Sequence, residues 1–268
     1  MLVPVPEMFD ALSKGVYEMN MTVFAFDAQW LPELTVGMSL PGSWETLEQC
    51  QKFFYDYGGL DFFRESYAQH NQYLLRHLPC TRNSLMTKER VNTWSDLKGM
   101  KIWAEPPQSY PIRDLGGAVT LMPLEDLYMA LKLGTLDGCV YSEPELETLH
   151  FYEVLNYVYH PSIQELLCMD MTINLDAWNS LPTDLQNDIE AIMDEIVPQM
   201  CRTYQAQEKV GTKFFEEHGG TVVDLPADMA AELHRVSRDC WDEIAAESDR
   251  SAQAVQLLRN FMEGEGIE

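Results

Sequence analysis

Apolar residues recur along this chain in two rhythms, short unbroken runs and longer stretches with a helical period. The clearest alternation lies between 96 and 144. Apolar runs at 100–103, 118–122 and 139–141 predict strands. Between the last two, Leu124, Leu127, Tyr128 and Leu131 recur at three and four, which predicts a helix. Gly134 tolerates a left-handed stop there. Pro106-Pro107 and Pro123 close the first two runs, and Gly116-Gly117 and Asp137-Gly138 open the later ones. A strand–helix–strand sequence is the unit of a parallel sheet, so the expected class is α/β. Such sheets place their ligands beyond the carboxyl ends of the strands. Trp103 and Tyr141 stand at those ends and are the first candidates for a site.

The same reading extends outward. A helix is expected over 7–18, a strand over 21–26 and an apolar segment over 34–40. One or two aromatic-rich helices follow over 44–68, interrupted by Gly58-Gly59. Such a stripe at helical spacing is read as core. Short strands are expected at 73–78, 84–86, 154–159, 169–174 and 221–224. Leu185, Ile189, Ile192, Met193 and Ile196 open a long helix that resumes past Pro198, which should kink it rather than end it. Acidic helices over 229–247 and 251–262 complete the pattern.

Charge narrows the partners. The 268 residues carry 43 Asp+Glu against 18 Lys+Arg, a net charge of −25. Nucleic acid and anionic membrane surfaces need clustered basic residues and are set aside. No apolar run is long enough for a membrane span. The start, Met1-Leu2-Val3-Pro4, leads into a helical pattern without the form of a signal peptide. Six scattered cysteines lack the pairing of a zinc site and read as buried thiols, with one or two disulfides open in an exported protein.

Four fragments in order carry a resemblance: "DLKGMKIW", "MPLEDLYMALKLGTLDG", "HFYEVLNY" and "INLDAWNSLPTDLQ". Together they resemble the DctP-type solute-binding proteins of tripartite ATP-independent periplasmic (TRAP) transporters. The resemblance implies a two-lobed periplasmic-binding-protein-like fold with crossing strands and a long hinge-spanning helix. It assigns 1–80 plus 169–208 to lobe I and 81–168 plus 209–268 to lobe II. It also implies that the family's usual first β-α-β unit is lacking, leaving lobe I incomplete at its N-terminal side. A small molecule would be held in the interlobe cleft, in the periplasm, and handed to the TRAP membrane subunits by a monomer or homodimer. Two alternatives stay open: a ligand-sensing protein of the same fold without transport, and a hydrolytic enzyme. The dispersed histidines and the lack of HExxH, GxSxG, P-loop or GxGxxG patterns speak against the enzyme.

The resemblance also locates the binding chemistry. The family's carboxylate-clamping arginine falls on Trp103, and a second polar position falls near Asn83, beside Arg82. The family's metal-side carboxylate falls on Val140. Aromatic faces in place of a guanidinium favour an aromatic or less charged ligand, or an acid held by Arg82. Carboxylates such as Glu143 and Glu165 beside rings would also suit a cation. The expected lining is Trp103, Tyr141, Arg82, Asn83, Gln164, Glu165, Phe24 and Phe26. No cofactor is expected; if a metal ion accompanies the ligand, Glu165 is its best candidate ligand. Removing Trp103 should then abolish ligand stabilisation and leave the unliganded protein intact.

Overall fold

The structure, a computed structural model, describes residues 3–267, without the side chains of Val5, Ala25 and Phe26. Its strands are β1 (Met19–Val23), β2 (Gln72–Pro79), β3 (Asn83–Thr87), β4 (Lys101–Trp103), β5 (Ala118–Thr120), β6 (Gly138–Ser142), β7 (Tyr157–His160), β8 (Cys168–Asn174) and β9 (Thr221–Asp224). They form two sheets, one of three strands in the order β1-β8-β2 and one of six in the order β5-β4-β6-β3-β7-β9. The small sheet is antiparallel. In the large one β4 runs parallel to both β5 and β6, as the strand–helix–strand pattern requires. The intervening helix spans Leu124–Leu133 and stops at Gly134, whose φ of +77° is the left-handed value expected of it.

The expected strand at 21–26 ends early. β1 stops at Val23, and Phe24–Asp27 is a helical turn. Phe24 is fully buried against Phe54 and Phe63, and this packing overrides the β-propensity of the run.

Two segments pass between the sheets. The chain leaves β2 through 80–82 to enter β3, and leaves β7 through 161–167 to enter β8. They are bonded to each other: Cys80 N–H donates to Leu167 O at 2.8 Å, and Asn83 N–H to Gln164 O at 2.9 Å. A helix over Thr183–Glu217 runs alongside both, packing on β2 and also on β9 and the short helix Glu145–Thr148. Pro198 lies inside this helix without ending it.

The long helix meets the large sheet's connections at Gly211. A Cβ there would stand 2.9 Å from Glu143 O and 3.0 Å from Pro144 Cα, both backbone atoms. Gly211→Val is therefore expected to cost about 1–3 kcal/mol of stability, the range for overpacking a tight contact. A lowered urea midpoint would show it; a midpoint equal to wild type would mean the contact gives way freely.

The lobes differ from expectation at the C-terminus. Ala227–Asp239 does pack Met229, Leu233 and Val236 into the core of the large sheet. The helices Trp241–Ala245 and Asp249–Glu265 instead bury Trp241, Leu258 and Phe261 with Trp44, Phe53 and Phe54 beside the small sheet. The expected division placed these two helices with lobe II, whereas their apolar faces join the core beside the small sheet. Helical periodicity specifies an apolar face but not which core receives it. The aromatic-rich stretch is core, and all six cysteines are free and buried.

Candidate functional site

A cleft of about 1120 Å³ opens between the two sheets. Its walls come from both sides. Val23, Met38 and Met169 approach from the side of the small sheet, Glu105, Tyr141 and Glu145 from the side of the large one. Thr81 on the crossing segment, Asn83 at the start of β3, and Tyr204, Gln207 and Val210 on the long helix complete it. Two of these walls sit beyond the carboxyl ends of the parallel strands β4 and β6. β6 delivers Tyr141 and then turns through Pro144 into the helix carrying Glu145 and Glu147. β4 delivers Glu105, just before the cis bond Pro106-Pro107.

The expected residues divide into separate places. Tyr141 and Asn83 line the cleft. Trp103 is buried behind Tyr141, 2% exposed, with its ring centroid 5.6 Å from the tyrosine ring. Its indole N–H donates to Met122 O at 3.0 Å, so the structure does not bring it to the cleft wall. Phe24 lies in the core of the small-sheet side, and the Phe26 side chain lies outside the described residues.

Gln164 is buried and ties the two sides together. It accepts from Gln108 Nε2 at 2.7 Å and donates to the carbonyl of Ser39. Arg82 faces away from the cleft, into a smaller cavity of about 470 Å³ shared with Glu143, His160 and Glu208. Its guanidinium lies 3.7 Å from Glu165 and 3.5 Å from Glu208. Glu165 also accepts from Ser162 N–H at 2.6 Å, and burial pushes its carboxyl up despite Arg82. That carboxylate is already engaged. Among the described residues no group of three or more His, Cys, Asp or Glu is arranged to hold a metal ion.

Glu143 is the centre of this second cluster. Burial pushes its carboxyl up, but the hydrogen bond and charge of His160, with the Ser84 hydrogen bond and the charge of Arg82, outweigh burial and hold it below the ordinary range. The same bond from Glu143 raises His160, which lies 2.6 Å away. Ser84 and His160 both meet Glu143 Oε1 rather than each other. That arrangement ties β3, β6 and β7 together; it is not a nucleophile–base pair, in which the two would bond directly.

Glu105, Glu145, Glu147 and the long-helix residues were not among the expected lining. The acidic run "SEPELE" directly after a strand end was the available signal for two of them.

A cleft walled by two sheets, with crossing segments and one helix beside both, defines a two-lobed solute-binding protein. The chain belongs to the DctP family, bacterial extracellular solute-binding protein family 7, whose model matches residues 1–248. It is 24% identical over 266 residues to a monocarboxylate 2-oxoacid-binding periplasmic protein of Nostoc sp., covering 97% of this chain and 72% of that one. A TRAP transporter solute-binding protein from Bordetella bronchiseptica, solved with copurified calcium and picolinate, superposes with a TM-score of 0.85 at 23% identity, over 99% of this chain and 80% of that one. A TRAP periplasmic solute-binding protein from Chromohalobacter salexigens, solved with (S)-(+)-2-amino-1-propanol, gives 0.82 at 23%, over 97% and 82%. No described helix is long and apolar enough to cross a membrane. The family and these neighbours are binding proteins, not enzymes.

Proposed function

We propose that this protein captures a small solute in the interlobe cleft by closing the lobes around it, and presents the closed form to TRAP membrane subunits in the periplasm. The observation that carries this reading is the composition of the cleft wall, which draws on both sheets and on the helix beside them. A ligand touching both walls contributes contacts that exist only when the lobes approach, and so shifts the population toward closure. The paired crossing segments at 80–83 and 164–167 are the hinge in this account. Tyr141 and Asn83 are binding residues, with Trp103 fixing the Tyr141 ring from behind. Arg82 and Glu165 brace the hinge, and no step is assigned to a metal ion.

A thermal-shift screen of small organic acids and amines, followed by small-angle scattering on a hit, tests it. A raised melting temperature with a reduced radius of gyration is expected. A saturating hit that leaves the scattering unchanged would refute closure.

A further inference from the structure

The cleft is acidic, and its charge is unanswered within the chain. Glu105, Glu145 and Glu147 line it, and no lysine or arginine does among the described residues. None of these carboxylates stands within 4 Å of a lysine, arginine or histidine nitrogen among the described residues; the ion pairs lie elsewhere, as with Arg82 and Glu165 or Arg113 and Glu243. Glu105 is exposed overall at the cleft rim, yet burial of its carboxyl end pushes it above the ordinary carboxylate range, with no cation of the chain opposing the shift.

Aromatic rings stand beside these acids. The Tyr141 phenol, pushed up to about 12 chiefly by burial, also feels the charges of Glu145 and Glu105. Tyr204, on the long helix, is raised by burial and by Glu145 among its neighbours. Glu145 thus acts electrostatically on two tyrosines that line the same cleft from different elements. The rest of the polar wall carries no fixed charge: Thr81, Asn83, Gln108, Ser142 and Gln207 offer amides and hydroxyls, and His150 adds an imidazole.

Resting on the solute-binding reading above, we infer that the cleft takes a small organic cation whose ammonium group sits between the Tyr141 and Tyr204 rings and the Glu105 and Glu145 carboxylates. A desolvated ammonium over an aromatic face is worth about 0.5–2 kcal/mol. Its hydrogen bonds to a carboxylate are of the stronger, charge-assisted kind. A free organic acid would enter against three carboxylates with no lysine or arginine, and only the His150 imidazole, to receive it. The neutral amides and hydroxyls suit the uncharged part of an amino alcohol. The overall charge of −25 attracts a cation toward the cleft and repels an acid.

Calorimetry on the whole chain decides this, with 2-amino-1-propanol, choline and putrescine set against pyruvate and malonate, each in EDTA and in calcium. Binding of at least one amine in EDTA is expected, with no binding of the acids there. Glu105→Gln with Glu145→Gln, and separately Tyr204→Ala, should weaken that amine at least about tenfold, while the unliganded melting temperature reports that each variant folds. Acids that bind in EDTA, or only with calcium, would overturn the organic-cation assignment and leave the solute-binding reading standing. Failure of all three amines overturns the assignment as well, and the solute-binding reading is then judged separately by the broader screen and scattering.

Discussion

Trp103→Ala is expected to lower the stability of the unliganded protein by about 3–5 kcal/mol, the range for removing a large aromatic side chain from a core. The residue occupies the position at which the family resemblance places a ligand-clamping arginine, and a clamp could be removed without harm to the fold. Its surroundings say otherwise. Trp103 is 2% exposed and shares a core cluster with Leu127, Leu131, Cys139 and Phe151. Truncation leaves a cavity and also removes the donor to Met122 O. Trp103→Phe separates these terms, because it keeps most of the ring while losing the hydrogen bond, and should cost about 1–2 kcal/mol. Both variants should also weaken ligand binding, since Tyr141 packs edge-on against the indole and loses its support. Urea unfolding of the three proteins reads the stability terms. An alanine variant as stable as wild type would show that the indole is dispensable to the fold.

The same residue shows where the sequence stops being informative. The runs around β4, β5 and β6 are legible because glycine and proline bracket each one, and the helix between carries its own period. A strand end, however, has two faces. Ile102 points into one core and Trp103 into another, because the sheet is covered on both sides. Position alone does not tell which face opens on a cleft. Period two does explain Arg82 and Asn83, neighbours on an extended segment, which face the small cavity and the cleft respectively. Tyr204 and Gln207 were hidden for the helical equivalent of this reason. The long helix has apolar positions on several faces, and only the placement of both sheets decides which face lines the cleft. The docking of Asp249–Glu265 against Phe53 was illegible because it joins segments from opposite ends of the chain. The fold class followed from local pattern and the family from ordered motifs. The cleft wall is a product of tertiary assembly.

Asp170→Asn is expected to stabilise the protein above neutral pH, which runs against the usual outcome of altering a fully buried polar residue. Asp170 stands on the inner face of the small sheet, paired across the strands with His77 and Thr22. The Tyr67 hydroxyl donates to its Oδ2 and also lies 3.4 Å from Asp27 Oδ2. One phenol has one hydrogen and can serve only one carboxylate at a time. His77 offers no counter-charge: fully buried and stacked on Phe54 at 3.8 Å, it is held neutral, with burial pulling it down to about 3. Burial accordingly pushes Asp170 up to about 7, and burial together with the charge of Asp170 pushes Asp27 up to about 8. Unfolded, both carboxyls ionise near pH 3.8. Between that value and their folded values the native state binds more protons than the unfolded chain. Stability is then fully present at low pH and is lost as pH rises, by about 1.4 kcal/mol per pH unit for each group still protonated. His77 works in the opposite sense below its unfolded value of 6.5, where the unfolded chain takes up its proton. Its contribution fades within about one pH unit above that value and is common to the wild type and the variant, so their difference reads the carboxyls. Urea midpoints from pH 6.5 to 8 should fall for the wild type and fall less for Asp170→Asn, whose amide oxygen still accepts from Tyr67 and carries no charge. The gap at pH 8 should be on the order of 2 kcal/mol in favour of the variant. A variant that is less stable by the same amount throughout that range would show that Asp170 is ionised in the folded protein, and that the charge is balanced by a partner.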